Sequence, residues 1–242
     1  VFTELLEKGD RKEAFRVASA LFFLITLVLG GLTALFILAA PLLIPLFAPG
    51  FDEQLTDLTV GLSRLMFPIV LLLALSGLVV GMLNSFEHFS VPALAPLAWN
   101  LVIIGCLVGL TPVFPDEDEI YAYAIGVLAG TIVQLLLPMP WLRGRGGRFS
   151  VTFAFRNPHV IRVLKLILPV TIALGLINFS LLINSFFGTL VQEEAPAAID
   201  KAFRIYMLPQ GLFSVAIATV VFPTLSRFAA RGARDDLRRT MA

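Results

Sequence analysis

Two cations sit where an apolar chain has little reason to keep them: Lys201 and Arg204, inside the hydrophobic run 197–225. Residues three apart on a helix share a face. At about 1.5 Å of rise per residue, Arg204 lies roughly 10 Å beyond the start of that run. An arginine at such depth in lipid costs about 2.5 kcal/mol or more unless it faces a partner or a wet cavity. Asp200, four residues earlier, is one available partner, and the two can pair along the helix. The other reading is a cationic site in a wet cavity that captures an anion. A guanidinium suits phosphate there, because its planar fork donates two parallel hydrogen bonds. The preceding run adds Asn178, Ser180, Asn184 and Ser185, and an earlier one holds Asn100. Asn178 and Ser185 are two helical turns apart, but Leu181 and Leu182 lie between them, so these groups form no continuous polar stripe. Amides inside membranes more often tie helices together than touch a substrate.

Nothing in the chain has the pattern of a catalytic or metal centre. His88 and His159 stand apart from any Cys, His or carboxylate cluster, and a metal site needs several such ligands converging. Ser and Thr residues lack a paired base. Gly144-Arg145-Gly146-Gly147 follows an apolar run rather than a strand, so it reads as a loop and not a nucleotide cradle. Asp116 to Glu119 reads as a solvated acidic loop, and the single cysteine, Cys106, as a small hydrophobe in an apolar run. No cofactor and no metal are expected.

The elements that must carry the two cations are set by hydrophobicity. Of 242 residues 58% are hydrophobic and 14% charged, with a mean hydropathy of +0.91. A water-soluble domain carries about 25% charged residues, so lipid is the matching solvent. Six apolar segments stand out, roughly Val17–Ala40, Leu65–Asn84, Pro92–Leu110, Tyr121–Trp141, Val160–Val191 and Ala197–Leu225. Each is long enough for a membrane-spanning helix. The short alternating segments of a β-barrel do not occur. The fold class expected is therefore an all-α integral membrane protein with six transmembrane helices. The first apolar run is too long for a signal peptide and no cleavage site follows it. Starting at Val1 and stopping in a basic stretch, the chain reads as an excerpt of a longer protein.

Charge then orients the bundle. Lys8, Arg11, Lys12 and Arg16 precede the first span; Arg143, Arg145, Arg148, Arg156, Arg162 and Lys165 surround the fourth-to-fifth connection; Arg227, Arg231, Arg234, Arg238 and Arg239 follow the sixth. These are fifteen of the 18 Lys and Arg, and alternation of six spans puts them all on one side. The opposite loops hold Asp52, Glu53, Asp57, Asp116 to Glu119, Glu193 and Glu194, with Arg64 as their one basic residue. The positive-inside rule makes both ends cytoplasmic. A net charge of +1 gives no reason to expect nucleic acid. Arg64, at the edge of the second span, reads as an anchor whose head snorkels to the interface. Pro41, Pro45 and Pro49-Gly50 are expected to close the first span in a broken segment, Pro92 and Pro96 to open the third, and Pro209 with Gly211 to interrupt the sixth. The two ends also look alike: Val1-Phe2-Thr3-Glu4-Leu5 leads through Gly9 into Arg11-Lys12, and Val221-Phe222-Pro223-Thr224-Leu225 leads through Gly232 into Arg234. Repeats of six spans would lie parallel, in a transporter of two lobes.

Several stretches form a set in matching order: Leu46-Phe47-Ala48-Pro49-Gly50-Phe51, Arg64-Leu65-Met66-Phe67-Pro68, Gly81-Met82-Leu83-Asn84-Ser85, Val91-Pro92-Ala93-Leu94-Ala95-Pro96 with Asn100, Leu182-Ile183-Asn184-Ser185, the run from Ala202 to Gly211, and Phe222-Pro223-Thr224-Leu225-Ser226. Together they resemble the MurJ/MviN family of lipid II flippases, within the multidrug/oligosaccharidyl-lipid/polysaccharide exporter superfamily. The resemblance implies a two-lobed transporter of fourteen helices, of which this chain supplies the third to the eighth. Residues 1–141 would then finish the N-terminal lobe, 142–159 form a basic cytoplasmic linker, and 160–242 open the C-terminal lobe. It implies alternating access in the bacterial inner membrane, moving lipid II (an undecaprenyl-diphosphate-linked saccharide) to the outer leaflet for cell-wall synthesis, with a coupling ion unnamed. It places Arg204 at the cavity arginine of the eighth helix; Lys201, Asn178, Asn184 and Asn100, polar groups inside the spans, are the further candidates for substrate binding on the residue reading alone. His88 stands where the family carries a basic residue before Phe89. The alternatives are a drug/cation antiporter or another polyprenyl-saccharide flippase of the superfamily, and, in a different class, a membrane scaffold that transports nothing.

Overall fold

The computed structural model describes residues 1–115, 118–145, 150, 152, 154–192, 194–209 and 211. Among them every regular element is a helix. In chain order these are α1 (Phe2–Glu7), α2 (Arg11–Phe47), α3 (Glu53–Met66), α4 (Pro68–Ser85), α5 (Ser90–Leu110), α6 (Ile120–Leu136) and α7 (Pro158–Val191). Residues 195–209 form a further helix, α8. Single 3₁₀ turns follow α5 (Thr111–Val113) and α6 (Met139–Leu142). Five stretches are long and apolar enough to cross a membrane: Arg11–Phe47, Glu53–Ser85, Ser90–Val113, Ile120–Leu142 and Pro158–Val191. They correspond to the first five expected spans. Of the sixth, 197–209 is helical and most of the remainder, with the basic segment 227–239 and the second copy of the end repeat, lies outside the described residues. The chain forms two compact units, Val1–Leu182 and 183–242.

Local chemistry explains the boundaries in the first unit. α1 ends in a Schellman arrangement: the amides of Gly9 and Asp10 donate to the carbonyls of Leu6 (2.9 Å) and Leu5 (3.0 Å). The φ of +78° at Gly9 is one that a side-chain-free residue adopts readily. Asp10 then caps α2 by accepting from the Glu13 amide at 3.1 Å. At about 1.5 Å per residue the 37 residues of α2 run roughly 55 Å, beyond the ~30 Å of a hydrocarbon core. Its buried positions crowd between Ala14 and Leu21, where it meets α1, α4 and the first turn of α7. There Phe2, Phe15 and Phe86 pack with centroids about 6 Å apart, Phe2 edge-on to both partners. Val79, Met82 and Leu83 of α4 complete that cluster.

Two expectations are corrected. α2 does not break at Pro41 and Pro45; it runs helically through both and ends at Phe47, just ahead of Pro49-Gly50. A proline is tolerated in a spanning helix when the carbonyl it frees finds another donor. The acidic stretch around Asp52, Glu53 and Asp57 is not a loop. Asp52 caps α3 by accepting from the Leu55 amide at 2.7 Å, and α3 runs to Met66 before Pro68 opens α4. Carboxylates at a helix start are favoured by the positive end of its dipole.

The α5–α6 pair has the most extensive interface of the bundle. Gly126 and Gly130, one turn apart on α6, face Ile103 and Trp99 of α5. A Cβ on Gly130 would come within 2.9 Å of the Trp99 carbonyl oxygen, so only hydrogen there permits this approach. The Trp99 indole N–H donates to the Thr131 hydroxyl at 3.2 Å, and that hydroxyl donates to the Val127 carbonyl at 2.7 Å. Small residues and one interhelical hydrogen bond are how helices associate in lipid, where no hydrophobic force separates them from acyl chains. On the opposite side of α5, Leu94, Leu97, Leu101, Ile104 and Val108 are exposed, as a lipid-facing stripe requires.

Candidate functional site

Within the second unit, α8 gathers its charges in one turn. Arg204 Nε donates to Asp200 Oδ2 at 2.8 Å, along the helix. The two side chains are 78% and 60% exposed, so the pair is an open one. A single N–H of the guanidinium's five is engaged by this bond. Lys201 is exposed on the same helix, as is Asn184 near the end of α7. Gly188 of α7 sits against Pro196 and Ile199, which seats the start of α8 on the last turns of α7. Asp200 thus lies about one turn into α8, Arg204 about one turn further on.

The other two candidates belong to the first unit. Asn100 and Asn178 each turn their amide back on their own helix, donating to the carbonyls of Pro96 and Leu174, both at 2.9 Å. The expectation that such amides tie helices together does not hold for these bonds. Each side chain reaches its own i−4 carbonyl more easily than a neighbouring helix, and both residues are exposed.

Sequence reasoning missed the polar links that hold the basic end of the first unit. Arg162, in the first turns of α7, donates to both oxygens of Glu4, at 2.7 and 3.1 Å. That fork lowers the Glu4 pKa below its ordinary value, chiefly through the hydrogen bonds from Arg162; desolvation opposes them, and the guanidinium charge adds a smaller lowering. Asn157, just ahead of α7, donates to Glu13. Val160, fully buried, packs with Leu5, Ala14 and Val17 in the same place. Arg145 lies over the Phe86 ring, 5.1 Å from its centroid. Long-range partners of this kind leave no periodic signal, although the abundance of charge around the fourth-to-fifth connection did mark the region. Arg64 is also more than an anchor: its Nε donates at 3.2 Å to the backbone carbonyl of Ile37 in α2. Among the described residues no group of three or more His, Cys, Asp or Glu is placed to hold a metal ion.

The exposed guanidinium on α8 has the hydrogen-bonding chemistry that suits an anionic group, and comparison with known proteins narrows the choice. The family model for lipid II flippase MurJ matches residues 1–242. Curated relatives include a probable lipid II flippase MurJ of Rhizobium tropici, 34% identical over 226 residues, covering 91% of this chain and 40% of the relative. One from Rhizobium meliloti (strain 1021) is 33% identical over 238 residues, covering 96% and 44%. The lipid II flippase MurJ of Burkholderia cenocepacia is 32% identical over 180 residues, covering 73% and 34%. The chain spans less than half the length of these relatives. Neither the antiporter nor the scaffold reading gains support from these matches. With its membrane-spanning helices and a match from Val1 to Ala242, the chain belongs to the MurJ family of lipid II flippases.

Proposed function

We propose that this chain is the central part of a flippase that carries lipid II from the cytoplasmic to the outer leaflet of the bacterial inner membrane. The observation that carries this reading is the family match along all of residues 1–242. Residues 1–141 belong to the first lobe, 142–159 link the lobes on the cytoplasmic side, and 160–242 begin the second. Both ends of the chain face the cytoplasm, as the fifteen clustered cations require under the positive-inside rule.

Arg204 is the residue that receives the diphosphate. An exposed pair separated by one turn is worth about 0.3–0.5 kcal/mol, so Asp200 holds the guanidinium in place without competing strongly. The two terminal nitrogens of the fork remain on the side away from Nε, and a diphosphate accepts from them bidentately. Lys201 adds a second positive charge on the same face, and Asn184 offers its amide to the saccharide. Rocking of the lobes then exposes the bound head group to the other side while the polyprenyl tail stays in lipid.

The test uses the full-length protein in bacteria depleted of their own flippase, with wild type and Arg204→Ala at matched membrane levels. The readout is lipid II accessible on the outer leaflet. Loss of exposure at normal protein level supports Arg204 as the diphosphate ligand. Unchanged exposure returns Arg204 to a purely intrahelical role, and failure of the wild type to restore exposure sinks the lipid II reading.

A further inference from the structure

The Ile37 carbonyl to which Arg64 donates is not an arbitrary acceptor. In an α-helix it would accept from the amide four residues later, and that residue is Pro41, which has no N–H. Arg64 occupies the last turn of α3, and its own carbonyl faces the same deficit, because Pro68 stands four residues on. Two proline-interrupted helices therefore meet, and the side chain of one supplies the donor that the other lacks. Beside this bond the rings of Phe36 and Phe67 lie 5.5 Å apart. The chain reverses between α2 and α3 at Pro49-Gly50, so the Arg64–Ile37 bond closes the open end of an α-hairpin.

We propose that Arg64 is a positioning residue: its guanidinium N–H replaces the amide that Pro41 removes, clasps α3 to α2, and keeps α2 helical through Pro41 to Phe47. Pro41 and Pro45 free the carbonyls of Ile37 and Pro41; an unpaired carbonyl facing lipid is strongly disfavoured, and the clasp satisfies the first of the two. Arginine fits better than lysine, because Nε sits in a rigid plane with a fixed donor direction. With the clasp closed, the end of α2 and the α3–α4 break move together as one body. The consequence for transport rests on the flippase reading; the clasp itself does not.

The experiment is a double-mutant cycle in the full-length protein reconstituted in lipid, read by hydrogen exchange over residues 36–47 and, separately, by export of lipid II in cells. Arg64→Leu is expected to speed exchange in that segment at least tenfold and to lower export several-fold, with Arg64→Lys intermediate. Pro41→Ala gives Ile37 its amide partner back. Alone it is expected to be near neutral, and combined with Arg64→Leu it should restore slow exchange and most of the export. If Arg64→Leu does not accumulate, recovery of membrane level by the added Pro41→Ala reads the same cycle. Effects of the two substitutions that simply add, or exchange untouched by Arg64→Leu, would overturn the clasp. Altered exchange with unaltered export would overturn its positioning role in transport. A wild type that exports no lipid II would defeat the flippase reading while leaving the exchange cycle legible.

Discussion

The α5–α6 interface and α8 handle polar groups in opposite ways. At the first, the Thr131 hydroxyl is fully buried, bonded to the Trp99 indole across the interface and to Val127 along its own helix. Two glycines bring the backbones close enough that no side chain fits between them. At the second, Arg204 is bonded to the carboxylate one turn away and remains mostly exposed. Buried polar groups with both partners made are locked into the structure, because breaking either bond leaves an unsatisfied group in a dry place. A charge satisfied by its helical neighbour in the open is free to exchange that partner for a ligand at small cost. The contrast separates the scaffold of this chain from the part proposed to meet a substrate.

The heaviest test of the scaffold side is Gly130→Leu. A Cβ there already falls 2.9 Å from the Trp99 carbonyl oxygen, and overpacking a tight interface costs about 3 kcal/mol. Much less folded protein should reach the membrane, measured by level and by thermal midpoint in detergent; a normal midpoint would mean that the helices are not this close. Thr131→Val is milder. It keeps the shape but leaves the Trp99 N–H without its acceptor, and should cost about 1 kcal/mol. Pairing it with Trp99→Phe should remove most of that penalty, since the orphaned donor goes too.

How far this division could be read beforehand depends on how local its causes are. The spans were legible because hydropathy and clustered charge are properties of short windows, and five of six coincide with long apolar helices. Lys201, Asp200 and Arg204 were legible because helical spacing alone puts them together. α3 was missed because Asp52, Glu53 and Asp57 gave it the look of a loop, although Asp52 three residues ahead of Leu55 is the signature of a capped helix start. Gly126 and Gly130 were visible at a spacing of four, yet their meaning needed Trp99 on the facing helix. Pro41 announced a carbonyl without a donor; that Arg64 would supply it depends on the packing of α3 against α2, which spacing does not encode.

Between scaffold and site stands the Glu4–Arg162 fork, exposed like the pair in α8 but joining two elements. Its pH dependence has a fixed sign. The Glu4 pKa is lowered in the folded chain, so its contribution is fully present above the ordinary carboxylate range and disappears as pH falls through the lowered value. Wild type should therefore hold the first turn of α7 more firmly than Glu4→Gln at neutral pH, read as slower amide exchange across residues 160–165. The two should converge in acid. A difference that persists at low pH would assign the effect to packing around Val160 rather than to the ion pair.

The smallest expected effect is the most informative about α8. Asp200→Asn keeps an acceptor oxygen beside Arg204 and removes the charge, at a cost near the 0.3–0.5 kcal/mol of an exposed pair one turn apart. Thermal stability should barely change. If the pair is only a resting place for the guanidinium, export of lipid II by the full-length protein should stay within about twofold of wild type, because on the proposed reading the diphosphate replaces the carboxylate. A fall in export comparable to that of Arg204→Ala would instead show that Asp200 aims the arginine at its ligand. The open pair would then be held as firmly to one arrangement as the buried hydroxyl of Thr131, and exposure alone would no longer distinguish a site from a scaffold in this protein.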